Sequence, residues 1–229
     1  MLELLASPSP GLYGFFLALP LAVAGAIILA IARACGPQAG RRAALGAGAW
    51  LAFTGALGAS EVLDVWAPPP VLLLFGAMLI FLAWAARRPW TEQLGTLPLQ
   101  ILVGFQGFRL LVELGLHAAV NQGIANPTMT WTGTNFDILP GVSALLLIPW
   151  VHRLDPRVLQ AWNLTMAGIL VVTVVTAILA APTPLRQIFG DPANVFIASF
   201  PFIWLPTVLV TSAWLGHIVL FRRLRREPV

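Results

Sequence analysis

Lysine is missing from this chain of 229 residues, cysteine occurs once and histidine three times. Without lysine no Schiff base can form, which excludes a retinal-linked photoreceptor. Cys35 stands alone, so there is no internal disulfide and no cysteine-based metal site. Charge is scarce too, at 10% of residues, where an ordinary soluble domain has about 25%. Nine acidic and thirteen basic residues are too few to cover a water-facing surface of this size. A bilayer accounts for the deficit, because lipid needs no polar cover. Phosphate-binding glycine loops, nucleophile elbows and zinc-binding helix motifs are absent, and no cofactor is implied.

What is present is apolar: 59% of the residues. Seven stretches approach the roughly 20 apolar residues that a membrane span needs. They cover about 11–34, 43–60, 69–86, 97–120, 138–152, 158–181 and 194–220. The expected fold class is all-α, a single polytopic membrane domain over 1–229. The fifth stretch is short and implies a tilted or extended helix. Residues 1–9 carry Glu3 and no basic run, so no cleavable signal peptide is expected.

All thirteen cations are arginine. Arg33, Arg41, Arg42, Arg87, Arg88, Arg153, Arg157, Arg222, Arg223, Arg225 and Arg226 fall on one side of the expected bundle. Only Arg186 falls on the other, and Arg109 lies inside a span. The positive-inside rule then puts the N-terminus outside and the C-terminus in the cytoplasm. The chain is expected to cross its membrane several times. Trp84, Trp90, Trp150 and Trp162 are placed near the inner interface, Trp66 and Trp131 near the outer. The pI of about 11.0 does not indicate nucleic acid. The four arginines after the last span suit anionic headgroups, so membrane lipids are the expected partners.

The polar residues concentrate in 97–120, LPLQILVGFQGFRLLVELGLHAAV. Gln106, Arg109, Glu113 and His117 fall at i, i+3, i+7 and i+11, on one helical face. At about 1.5 Å per residue, Arg109 lies roughly 18 Å from Leu97, a little past the middle of the bilayer. A charge there costs on the order of 2.5–3.5 kcal/mol on insertion scales, so both charged groups must face the bundle interior. They either pair with each other along the helix or line a polar pocket.

The next loop, NQGIANPTMTWTGTNFD, is the longest between spans and suits a binding or lid role. It brings Asn135 and Asp137 to the level of His117. Asp137 opens the next helix and suits an N-cap. Glu61, Asp64 and Trp66, with Arg186, Asp191 and Asn194, add polar groups at the same end. His152 and His217 are expected near the inner face, snorkelling, roughly 20–30 Å from His117. A three-histidine metal site is therefore not expected. Asn163 and Thr165 match a glycosylation pattern, discounted because of its cytoplasmic placement. The small residues of 43–60 suit close helix packing. Pro201 and Pro206 predict a kink in the last span.

FRLLVELGLHAAV with MTWTGTNFDILPG, and ILAAPTPLRQIF with FPFIWLPTVLV and LGH, resemble a group of uncharacterised bacterial inner-membrane proteins of similar length. The resemblance covers about the C-terminal half to three fifths of the chain. It implies bacterial origin and membrane location and transfers no catalytic residue.

The leading expectation is an outward-facing polar pocket that binds or transports a small molecule or ion, lined by Gln106, Arg109, Glu113, His117, Asn135 and Asp137. Alternatives are a membrane-embedded enzyme acting on a lipid or isoprenoid, with Glu113 or Asp137 as acid/base, and a structural subunit of a membrane complex.

Overall fold

A computed structural model describes residues 7–64 and 70–226. Their regular structure is all helical, with no strand among the described residues. The helices are α1 (Pro10–Cys35), α2 (Pro37–Gly58), α3 (Pro70–Ala85), α4 (Pro89–Leu94) and α5 (Leu99–Gly104), then α6 (Phe108–Asn121), α7 (Ile138–Leu147), α8 (Pro156–Ala180) and α9 (Thr211–Leu224). Proline opens α1, α2, α3, α4 and α8. Its missing N–H is no loss in a first turn, and its fixed φ suits the helix. Ser9 and Asp155 cap α1 and α8 by accepting from the N–H of Leu12 and Arg157.

Each of the seven apolar stretches contains helix. Four segments are long and apolar enough to cross a membrane: Pro10–Cys35, Leu99–Asn121, Pro156–Ala180 and Leu205–Leu224. The exceptions have local causes. The α7 helix ends just ahead of Pro149, which has no N–H to donate to the Leu145 carbonyl. The apolar part of α3 is likewise short. The α2 helix is long enough, but its alanines and glycines make it weakly hydrophobic.

Leu205–Leu224 is the most enclosed of the four at 61% buried, against 28% for Pro10–Cys35. It contacts α8, α3, α4, α5 and α1. Gly36, at φ 90°, turns α1 back on α2. Indoles fasten α2 to the last span. Trp50 Nε1 donates to the Thr207 carbonyl at 3.1 Å, and Trp204 Nε1 donates to the Leu51 carbonyl at 3.2 Å. Of the α2 glycines, Gly55 and Gly58 pack against Phe200, Ile203 and Trp204, while Gly46 and Gly48 face open space.

The molecule is inverted relative to a soluble protein. Leu73, Leu79, Ile80 and Phe81 of α3 and Val171, Val172 and Val175 of α8 are exposed, whereas Arg109, Glu113, Asn135, Asp137, Asn163 and His217 are buried. Hydrocarbon, not water, is the solvent that matches such a surface.

Two stretches depart from a continuous helix. Leu99–Asn121 is interrupted by a 3₁₀ turn at Phe105–Gly107. The last stretch makes one 3₁₀ turn at Phe196–Ala198 and becomes continuously helical only near Leu205, as a π-helix over Leu205–Val210. Pro201 lies ahead of the helix and Pro206 in its wide turn, so the expected kink is an altered start. Glycine also lets α6 and α7 approach closely. A Cβ on Gly141 of α7 would collide with the Leu110 backbone nitrogen, and one on Gly107 would lie 2.6 Å from Leu145 Cδ2. Only glycine allows the two helices to come this near. The N-terminus of α7 is thereby brought beside Arg109.

Candidate functional site

Arg109 is 1% exposed and all three of its guanidinium nitrogens are committed. Nε donates to Asp137 Oδ2 at 2.9 Å and Nη2 donates to Asp137 Oδ1, a two-pronged ion pair. Nη1 faces the Met166 carbonyl at 3.5 Å and His217 Nε2 at 3.0 Å. The alternative of an Arg109–Glu113 pair along one helix is thus not the arrangement adopted. Arginine ahead of glutamate is the weaker order for such a pair, whereas Asp137 presents both oxygens to the planar fork.

Asp137 occupies the N-cap position of α7 without making a side-chain cap bond. Its carboxylate is turned to Arg109. The Asp137 N–H donates instead to Asn135 Oδ1 at 3.0 Å. Asn135 fills every hydrogen-bonding position of its amide. Nδ2 donates to Glu113 Oε2 and to the Met129 carbonyl, both at 2.9 Å. Oδ1 also accepts from the Thr173 hydroxyl at 2.8 Å.

On the far side of Arg109, Asn163 holds His217 at two points. Its Nδ2 donates to the His217 carbonyl at 3.1 Å, and its Oδ1 accepts from His217 Nδ1 at 2.8 Å. With the amide oriented this way, Nδ1 carries the proton and Nε2 offers its lone pair to Arg109. The network therefore runs Asn163, His217, Arg109, Asp137, Asn135, Glu113, with Thr173 bracing its middle. It draws on α6, the loop 122–137, α8 and α9.

Glu113 is fully buried. No cation among the described residues lies within ion-pair distance of it. Thr130 and the backbone of Trp131 sit beside its carboxylate. Beyond these two neighbours Glu113 Oε1 has no hydrogen-bond partner. His117, one turn along α6, stacks on Trp131 with ring centroids 4.2 Å apart, and its Nδ1 is also unpartnered. Gln106 is turned elsewhere. Its Nε2 donates to the Ala213 carbonyl of α9 at 3.1 Å, on the far side of the 3₁₀ turn.

Of the sequence-predicted residues, Arg109, Glu113, Asn135 and Asp137 thus join one network, while Gln106 and His117 flank it. The Trp66 position lies outside the described residues, as do the side chains of Glu61 and Asp64. Asn194 and Arg186 bond to backbone carbonyls of their own neighbourhood. Three participants escape the sequence reading as site residues: His217, Asn163 and Thr173. His217 is not a snorkelling residue; it is 3% exposed in the network. The signal that could have found it is Asn163, since an amide inside a span seeks a partner on another helix. Among the described residues no group of three His, Cys, Asp or Glu side chains is placed to hold a metal ion. No protein-family model, curated protein or solved structure matches this chain.

Proposed function

We propose that the chain is a seven-helix protein of a bacterial inner membrane, N-terminus outside, that binds or transports a small cation at Glu113. The one-sided arginines support the orientation, and the resemblance of the C-terminal half supports the origin. The observation that carries the function is a fully buried carboxylate, Glu113, with no cation within ion-pair distance among the described residues, beside Thr130, Trp131 and the unpartnered Nδ1 of His117. A carboxylate oxygen, a hydroxyl and an imidazole nitrogen together complement a positively charged or hydrogen-donating guest. Arg109 does not recruit an anion in this reading, because Asp137 already takes its charge. The Arg109–Asp137 pair is the structural frame of the site.

Glu113 and Thr130 are closed off from solvent, so a guest enters when Trp131 and its loop move aside. That loop is tied down by Asn126, whose Nδ2 donates to the Gly190 and Pro192 carbonyls at 3.2 and 3.0 Å.

The test is Glu113→Gln beside the wild type, by native mass spectrometry on protein released from membranes and by cation flux in proteoliposomes. The glutamine keeps one oxygen for Asn135 and turns its NH₂ toward Thr130, so the protein is expected to fold. Loss of the bound mass or of the flux is expected. Wild-type binding and flux in a folded Glu113→Gln protein overturns the assignment.

A further inference from the structure

The buried network of Arg109, Asp137, His217 and Glu113 has a charge sum that its geometry fixes. Arg109 is positive and Asp137 negative, and the two cancel in their two-pronged pair. His217 contributes no charge. Its Nδ1–H donates to Asn163, and its Nε2 accepts from Arg109 at 3.0 Å, so the ring has no place for a second proton. Glu113 therefore decides the total. Ionised, it leaves the network with one uncovered negative charge; carrying a proton, it leaves none.

The elements around Glu113 supply no counter-charge. Along α6 itself, Arg109 is held by Asp137, and His117 is stacked on Trp131. From the loop 122–137, Asn135, Thr130 and the Trp131 backbone reach the carboxyl group, and the one charged residue there, Asp137, is an anion. The α8 helix brings Thr173 to Asn135, and its single cation, Arg157, lies at the opposite end. The α1 helix meets α6 at Gly115 with Phe15 and Phe16; its Tyr13 packs on Phe200, and Arg33 is in its last turn. Ahead of the last span, Arg186 is bonded to the Ile188 and Gly190 carbonyls, and Asp191 is exposed. Neutral donors alone stabilise a carboxylate where solvent spreads the remaining charge, but Glu113 is 0% exposed. A buried ionisable group without a counter-ion takes up a proton instead. Oε2 then still accepts from Asn135, and Oε1 is the oxygen left to carry the proton.

We propose that Glu113 is an exchange site: the sealed protein holds a proton there, and a cation of single charge replaces it. This rests on the assignment of cation binding to Glu113. The protonated carboxyl group loses its proton to water as the cation pairs with the carboxylate, so the network stays neutral on both sides of the exchange. A divalent ion in the same place would leave one positive charge uncovered, which selects against it.

The first measurement is the infrared carbonyl stretch of a protonated carboxylic acid, taken on the full chain in lipid at neutral pH. The wild type is expected to show it and Glu113→Gln to lack it. Should Glu113→Gln not fold, Glu113→Asp is expected to shift the band. A wild type without the band has an ionised Glu113, which overturns the exchange and leaves cation flux through Glu113 standing. A band that persists unchanged in the variants belongs to another acid and overturns the exchange as well. The second measurement is proton release by the wild type in weak buffer, with sodium, potassium, ammonium or calcium chloride added in turn. A monovalent ion is expected to erase the band and release about one proton per chain. The concentration that half-saturates this release is expected to rise about tenfold for each unit by which the pH is lowered. Half-saturation that ignores pH, release by calcium alone, or no release by any of the four overturns the proposal. Cation flux that survives in Glu113→Gln, by contrast, sinks the cation site itself.

Discussion

Arg109 and Asp137 depend on each other more than on anything else in the bundle. Both are buried, and removing one partner leaves an uncompensated charge where water does not reach. Arg109→Ala or Asp137→Ala is expected to cost about 3–5 kcal/mol, read as loss of thermal stability in detergent. Replacing both with leucine should cost clearly less than the sum of the single changes; additive losses would mean that the pair is not coupled. Glu113 behaves differently. As it has no cation of its own, Glu113→Gln is expected to leave stability intact or raise it by about 1 kcal/mol, so lost function in that variant would not reflect lost fold. At His217 the Asn163 clamp specifies the tautomer. Long-range nitrogen NMR of the labelled ring is expected to show the proton on Nδ1, and Asn163→Ala is expected to mix the two forms. A wild-type ring protonated on Nε2 would contradict the hydrogen-bond assignment.

Between elements, distance is set by glycine. The face shared by Arg109 and Glu113 is legible because helical periodicity survives in sequence, and so is the arrival of Asn135 and Asp137 at that level. Which acid pairs with Arg109 is not legible. It depends on the approach of α7 to α6 at Gly141 and Gly107, and no one-dimensional pattern encodes a contact between two glycine-bearing backbones. The same limit applies to Gln106: the 3₁₀ turn at Phe105–Gly107 tightens the winding and leaves this side chain bonded to α9. Hydropathy assigns His217 to an interface because it treats every polar residue near a span end alike, whereas Asn163 on the neighbouring α8 gives it a reason to stay inside. Gly141→Val is expected to force α7 away from α6 and break the Arg109–Asp137 pair, with a stability loss comparable to Asp137→Ala. A cysteine pair placed across the α6–α7 contact should cross-link in the wild type and fail to do so in Gly141→Val.

At the scale of the molecule, the class is legible from scarcity of charge, and the helices from runs of apolar residues. The number of crossings is less so: four segments are long and apolar enough to cross, while α2, α3 and α7 are short or weakly apolar. The N-out orientation is testable directly. With Cys35 replaced by serine, a cysteine at Thr132 is expected to react with a membrane-impermeant maleimide applied to the periplasmic face, and one at Arg225 only after the membrane is opened. The reverse pattern would invert the topology.

The central position of the last span has a consequence for how the protein is made. Helices leave the ribosome in order, so Trp50, Asn163 and Arg109 are made before Thr207, the His217 carbonyl and the His217 ring exist to bond them. Until then the earlier helices carry unfinished contacts, and the last helix completes them. Stop codons late in the message should therefore be as harmful as early ones. A chain cut after Trp204 is expected to insert and then be cleared by membrane proteases at the rate of a misassembled protein, which pulse-chase decay of the two lengths would show.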